Sequence, residues 1–89
     1  MNELEKARAI IDECDELMAR AFEIRFRAVQ SVSEYKVQNG LPVFDAAREE
    51  AVIKKGLAKI GDENLKPYYE RFLKSLMELS REYQEELKQ

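Results

Sequence analysis

From Leu4 to Tyr35 the apolar positions alternate strictly by three and four: Leu4, Ala7, Ile11, Cys14, Met18 and Ala21, then Ala28, Val32 and Tyr35. One charged residue, Arg25, takes the seam position between Ala21 and Ala28. Neither glycine nor proline occurs before Gly40. That spacing is the mark of a coiled-coil-like helix whose apolar stripe is covered along its length. The helix is expected to start at Asn2, as N-cap of a capping box with Glu5, and to run to Asn39, with Gly40 as its left-handed terminator. It would be ~55 Å long at 1.5 Å per residue. A compact domain of 89 residues has a radius of gyration of only ~12 Å. One chain cannot cover such a helix, so a partner copy is expected.

The hydrophobic period lapses at Asn39-Gly40-Leu41-Pro42 and again between Gly61 and Pro67. A second helix is announced by Pro42 and capped by Asp45. It carries Glu49 and Glu50 in its first turn, where the helix dipole favours negative charge, and ends near Gly61. Its buried stripe is Val52, Ile53, Leu57 and Ile60, and Arg48 and Glu49 lie one turn earlier on the same side. A third helix begins around Leu65 to Pro67, proline being well placed in a first turn. Its apolar stripe is Phe72, Leu73, Leu76, Leu79, Tyr83 and Leu87. Ser80 and Gln84 prolong the line of Leu73 and Met77, which sets two neutral polar groups at the edge of the core. The expected fold is all-α, with residues 1–89 forming one three-helix domain that intertwines with a second copy as a homodimer.

Composition removes several function classes. The net charge is −3, whereas a phosphate-binding surface needs a cationic excess, so nucleic acid is not the expected partner. There is no histidine and a single cysteine, Cys14. Disulfides within the chain, thiolate–imidazole zinc sites and histidine-dependent triads are thereby excluded. Cys14 reads as a small core residue. No apolar run reaches the ~18 residues of a membrane span, and the N-terminus lacks the order of a signal peptide, so a soluble cytoplasmic protein is expected.

The informative charges are those in apolar positions. Arg25 needs an anion, because an unpaired buried charge costs several kcal/mol. That anion is either a carboxylate on another helix or a ligand. Lys36 lies eleven residues further on, close to three full turns, and projects from nearly the same face ~16 Å along the axis. Arg8 lies seventeen residues before Arg25, ~25 Å away, too far to share a small ligand within one chain. In an antiparallel dimer of these helices, the partner's Arg8 returns to that site. Asp45 and Glu49 are explained wholly or partly by capping and dipole complementarity, and Arg48 beside them is uninformative alone. Ser80 and Gln84 are either an exposed polar strip or hydrogen-bonding groups that stay neutral across physiological pH.

Taken together, these residues resemble the all-helical chorismate mutases, short three-helix chains that dimerise through a long first helix. The stretch from Glu34 through Lys36, Gly40, Pro42-Val43 and Asp45 to Arg48-Glu49 is similar to that family's lysine, loop, Pro-Val, Asp-x-x-Arg-Glu signature. Arg8 ahead of Ile11-Asp12, Arg25 in mid-helix and Ser80-x-x-x-Gln84 near the end extend the likeness over almost the whole chain. Arg81 and Cys14 stand where a branched apolar residue is common in such proteins.

The resemblance implies a site for chorismate, an enolpyruvyl ether with two carboxylates. Arg25 and the partner's Arg8 would clamp carboxylates. Lys36 would contact a carboxylate and the ether oxygen, and Gln84 would donate to that same oxygen. Glu49, helped by the backbone near Asp45, would hold the ring hydroxyl. Arg48 would support the polar network and Ser80 would bind the ring carboxylate. No cofactor is required, since a Claisen rearrangement is a concerted shift of six electrons without nucleophile or proton transfer. The expected activity is conversion of chorismate to prephenate in phenylalanine and tyrosine biosynthesis. The alternatives are an isochorismate pyruvate-lyase of the same fold and a helical interaction module without catalysis.

Overall fold

The computed structural model describes residues 1–88, and every regular element in them is helical. The long helix α1 spans Glu3–Gln38, α2 spans Ala46–Ala58, and α3 spans Lys66–Leu87, led in by one turn of 3-10 helix at Glu63–Leu65. The start of α1 is a capping box: the Asn2 side chain accepts from the Glu5 amide at 2.8 Å, and the Glu5 carboxylate accepts from the Asn2 amide. Its end is equally well determined. Gly40 adopts φ +64°, the Gly40 amide donates to the Val37 carbonyl, and the Leu41 amide donates to the Lys36 carbonyl at 2.8 Å. This pair of reversed bonds satisfies the last carbonyls of α1 and turns the chain towards α2.

Asp45 caps α2 by accepting from the Arg48 amide at 3.0 Å. The helix stops at Ala58, three residues short of the expected Gly61, because Lys59 and Ile60 donate to carbonyls three residues back and tighten the final turn. Pro67 sits in the first turn of α3, where its missing N–H costs nothing.

α3 is the central helix and packs on both α1 and α2, which make no backbone approach to one another. The α2–α3 contact is close at Gly56, where an added Cβ would fall 2.5 Å from Leu73 Cδ1 and 3.4 Å from Tyr69. On the other side, Phe26 of α1 meets Tyr83 at 5.2 Å between ring centroids, and Gln30 donates to the Tyr83 hydroxyl at 2.7 Å. The buried face of α3 is the line Leu73, Met77, Ser80 and Gln84. Phe72, Leu79 and Leu87, expected in the apolar stripe, face outwards. α1 and α2 converge on α3 from directions that enclose the partly polar line and leave the flank with Phe72 open.

The two halves of α1 differ in cover. Arg25, Phe26, Val29, Ser33 and Lys36 are partly or fully buried, whereas Leu4, Ile11, Met18 and Cys14 on the first half are exposed, Met18 by 52%. The chain measures 55 × 25 × 15 Å with a radius of gyration of 16.3 Å, well above the ~12 Å of a compact chain of its length. This extended shape is consistent with sharing a core with a second copy. No helix of the described residues is long and apolar enough to cross a membrane.

Candidate active site

Because α1 and α2 stand apart over α3, a cavity of about 230 Å³ lies between them. α1 lines it with Arg25 and Lys36, set among Ala28, Val29 and Val32. The start of α2 brings Asp45, Arg48 and Glu49, and α3 forms the floor with Met77, Ser80, Arg81 and Gln84. Every residue expected at the site is therefore gathered here except Arg8, which is exposed near the far end of α1.

Arg25 has no carboxylate to pair with among the described residues. Its Nη1 is buried and without a hydrogen-bond partner. The internal salt bridge that would have explained this residue is absent there, and a buried unpaired guanidinium nitrogen is destabilising by several kcal/mol unless an anion reaches it. Three turns along, the Lys36 ammonium donates to the Val43 carbonyl at 2.7 Å and to Gln84 Oε1 at 3.2 Å. An ammonium has three N–H bonds, so one remains to serve the cavity. The Gln84 amide nitrogen makes only long 3.4 Å contacts with the Ser80 carbonyl and hydroxyl. Lys36 and Gln84 thus place two available donors side by side.

The acidic residues of the cavity are already committed. Asp45 caps α2, as its sequence position implied. Both oxygens of Glu49 accept from Arg81 Nη1, Oε2 at 2.6 Å, and the Arg81 guanidinium lies 5.3 Å above the Phe44 ring. The hydrogen bond to Glu49 raises the Arg81 pKa above its ordinary value, helped by the nearby charges of Glu78 and Glu82, so this side chain stays a cation. Arg25, Lys36 and Arg48 are left to set the sign of the cavity, which suits a small anion.

Two participants were not foreseen from the sequence. Val43 contributes a backbone carbonyl, which no side-chain pattern announces. Arg81 does have a positional signal: it lies four residues after Met77 and three before Gln84, on the same helical face as both.

The family profile of chorismate mutase type II matches residues 7–85. The chain belongs to the chorismate mutase type II family. Chorismate mutases are isomerases of the shikimate pathway, on the branch to the aromatic amino acids. The matched span contains every residue of the cavity and also Arg8. No curated protein and no solved structure gives a significant match.

Proposed function

We propose that this chorismate mutase is a homodimer that converts chorismate to prephenate by selecting one conformer and stabilising the charge that develops on its ether oxygen. The observation that carries this reading is the buried, unpartnered Arg25 Nη1 in a cavity whose own carboxylates are engaged elsewhere. A substrate carboxylate supplies the missing partner, and a guanidinium holds it in a fixed orientation.

In this reading Arg25 takes one carboxylate of chorismate, and the partner's Arg8 reinforces the clamp from outside the chain. Ser80 receives the ring carboxylate and Glu49 accepts from the ring hydroxyl, while Arg48 and the backbone near Asp45 support that end. Holding both carboxylates selects the folded diaxial conformer, in which the enolpyruvyl terminus lies over the ring. The C–O ether bond then breaks as the new C–C bond forms, with no group entering or leaving. Lys36 and Gln84, adjacent at 3.2 Å, donate to the ether oxygen as its negative charge grows.

The dimer has its own support. A groove of about 720 Å³ joins the cavity through shared Arg25, Arg48 and Val52, and is walled by Met18, Phe22, Tyr69, Phe72 and Leu76. Lys55 and Lys59 add positive charge to it. The uncovered first half of α1 is its complement in both respects, an apolar stripe flanked by Glu3, Glu5, Asp12, Glu13, Asp15 and Glu16. An antiparallel second copy of that helix fills the groove and carries its Arg8 to the mouth of the cavity.

The test is direct. Purified protein incubated with chorismate is expected to yield prephenate; release of pyruvate from isochorismate would reassign it as a lyase. Chorismate that survives unchanged would leave only a helical binding module.

A further inference from the structure

The cavity holds an acid that ought to be a hazard. Glu49 shares a small space with Arg25 and Lys36 on α1 and with Arg48 on its own helix. An ionised carboxylate that swung onto Arg25 or Lys36 would occupy the nitrogens a dianionic ligand needs. Glu49 does not do so, because both of its oxygens are held by Arg81 Nη1, and the Arg81 guanidinium is itself seated over Phe44. The pair ties α2 to α3 across 32 residues of sequence, both side chains lining the cavity. Asp45 is fixed by capping α2, while Glu78 and Glu82 belong to the charged surroundings of Arg81.

We infer that Arg81 is a positioning residue that keeps the Glu49 carboxylate on the α2–α3 side, so that Arg25 and Lys36 stay open to the substrate's carboxylates. It does not replace the clamp. Without it Glu49 becomes an internal competitor for the same cations. The loss is therefore expected in KM more than in kcat, since the competing carboxylate is displaced once substrate is bound.

The inference rests on the reading of the cavity as a chorismate site, and the experiment separates the two. Steady-state kinetics with chorismate, and calorimetric binding of an oxabicyclic dicarboxylate that mimics the transition state, are measured for wild type, Arg81→Met, Arg81→Lys, Glu49→Gln and the double variant Arg81→Met with Glu49→Gln. Arg81→Met is expected to raise KM roughly tenfold with kcat changed less than about threefold, the size of a coupling between contacting charges. Arg81→Lys, which still pairs with Glu49, restores KM to within about threefold of wild type. In the Glu49→Gln background, where no charge remains to be restrained, Arg81→Met shifts KM and analogue affinity by less than about twofold. Arg81→Gln replaces Arg81→Met, with the same expectation, if circular dichroism shows the methionine variant unfolded. An unchanged KM in Arg81→Met overturns the inference, as does an effect of Arg81→Met that is equally large with Glu49 intact and in the Glu49→Gln background. A wild-type protein that neither converts chorismate nor binds the analogue overturns the proposed function, and the role of Arg81 with it.

Discussion

The two halves of α1 carry one hydrophobic rhythm and meet two different fates. From Arg25 to Lys36 the helix lies on α3, and its seam ends in the polar cavity. From Leu4 to Met18 the same rhythm continues over side chains that are exposed among the described residues. Periodicity therefore specifies that a face is to be buried without specifying by whom. On the second half the answer lies in cis, in the packing of α1 on α3. On the first half the chain's described residues supply no cover, and the proposed second copy would provide it. Under the proposed function the two clamping arginines are divided between the halves, Arg25 on the covered one and Arg8 on the uncovered one.

The strongest way to sharpen this contrast is to remove the charge on the covered half. Arg25→Ala is expected to lower kcat/KM by roughly three orders of magnitude, the cost of leaving a buried substrate carboxylate unpaired. The variant is expected to keep the wild-type helicity by circular dichroism and the proposed dimeric state by sedimentation. Near-full activity in that variant would remove Arg25 from the site.

A charge placed on the uncovered half attacks the other side of the comparison. Met18 is half exposed in the single chain, so Met18→Glu is expected to leave the chain's own fold intact but to set a carboxylate in the groove proposed for the second copy. Dissociation to monomers and a loss of about a hundredfold in activity are expected to appear together. A fully active monomer would show that the first half of α1 is dispensable.

Mixing tests the division of labour between the halves. Arg8→Ala and Arg25→Ala are each expected to be nearly inactive alone. If the proposed site is shared, a heterodimer of the two would have one complete site, with Arg25 from one chain and Arg8 from the other. Random re-pairing after mild denaturation therefore restores about a quarter of wild-type activity, from symmetry alone. No recovery on mixing would place Arg8 outside the site.

The smallest change concerns how the covered half is finished. Gln84→Glu keeps the shape next to Lys36, but in the proposed mechanism only the protonated acid could donate to the ether oxygen. Activity is expected near wild type at low pH and to fall about tenfold per unit above the carboxyl pKa of the new side chain. A flat pH–rate profile would deny Gln84 its donor role.

Much of α1 was legible because its determinants are local. Asn2 with Glu5, and Asn39 with Gly40, fix its ends through bonds between near neighbours, and its length alone announces the need for cover. The cap Asp45 was legible for the same reason. The end of α2 was not, because Lys59 and Ile60 tighten onto carbonyls three residues back in a stretch without a strong breaker before Gly61. The inward face of α3 was legible in part: the four-residue spacing gave the line of Leu73, Met77, Ser80 and Gln84, which is buried, whereas apolarity alone wrongly added Phe72, Leu79 and Leu87, which are exposed. The grouping of the site residues was legible through their likeness to a family pattern. The pairing of Arg81 with Glu49 was hidden because it depends on how α2 crosses α3, which no spacing in the sequence encodes.

The turn after α1 has a consequence for how this chain can vary. The Lys36 carbonyl accepts from the Leu41 amide, and the Lys36 ammonium donates to the Val43 carbonyl. One residue therefore grips the connecting loop at both its backbone and its side chain. Surface connections usually tolerate insertions at little thermodynamic cost. Here an extra residue between Gly40 and Val43 would pull the Val43 carbonyl off the ammonium and change where the lysine charge sits. The loop acts as a gauge, and its length is expected to be constrained by catalysis where stability alone would let it drift.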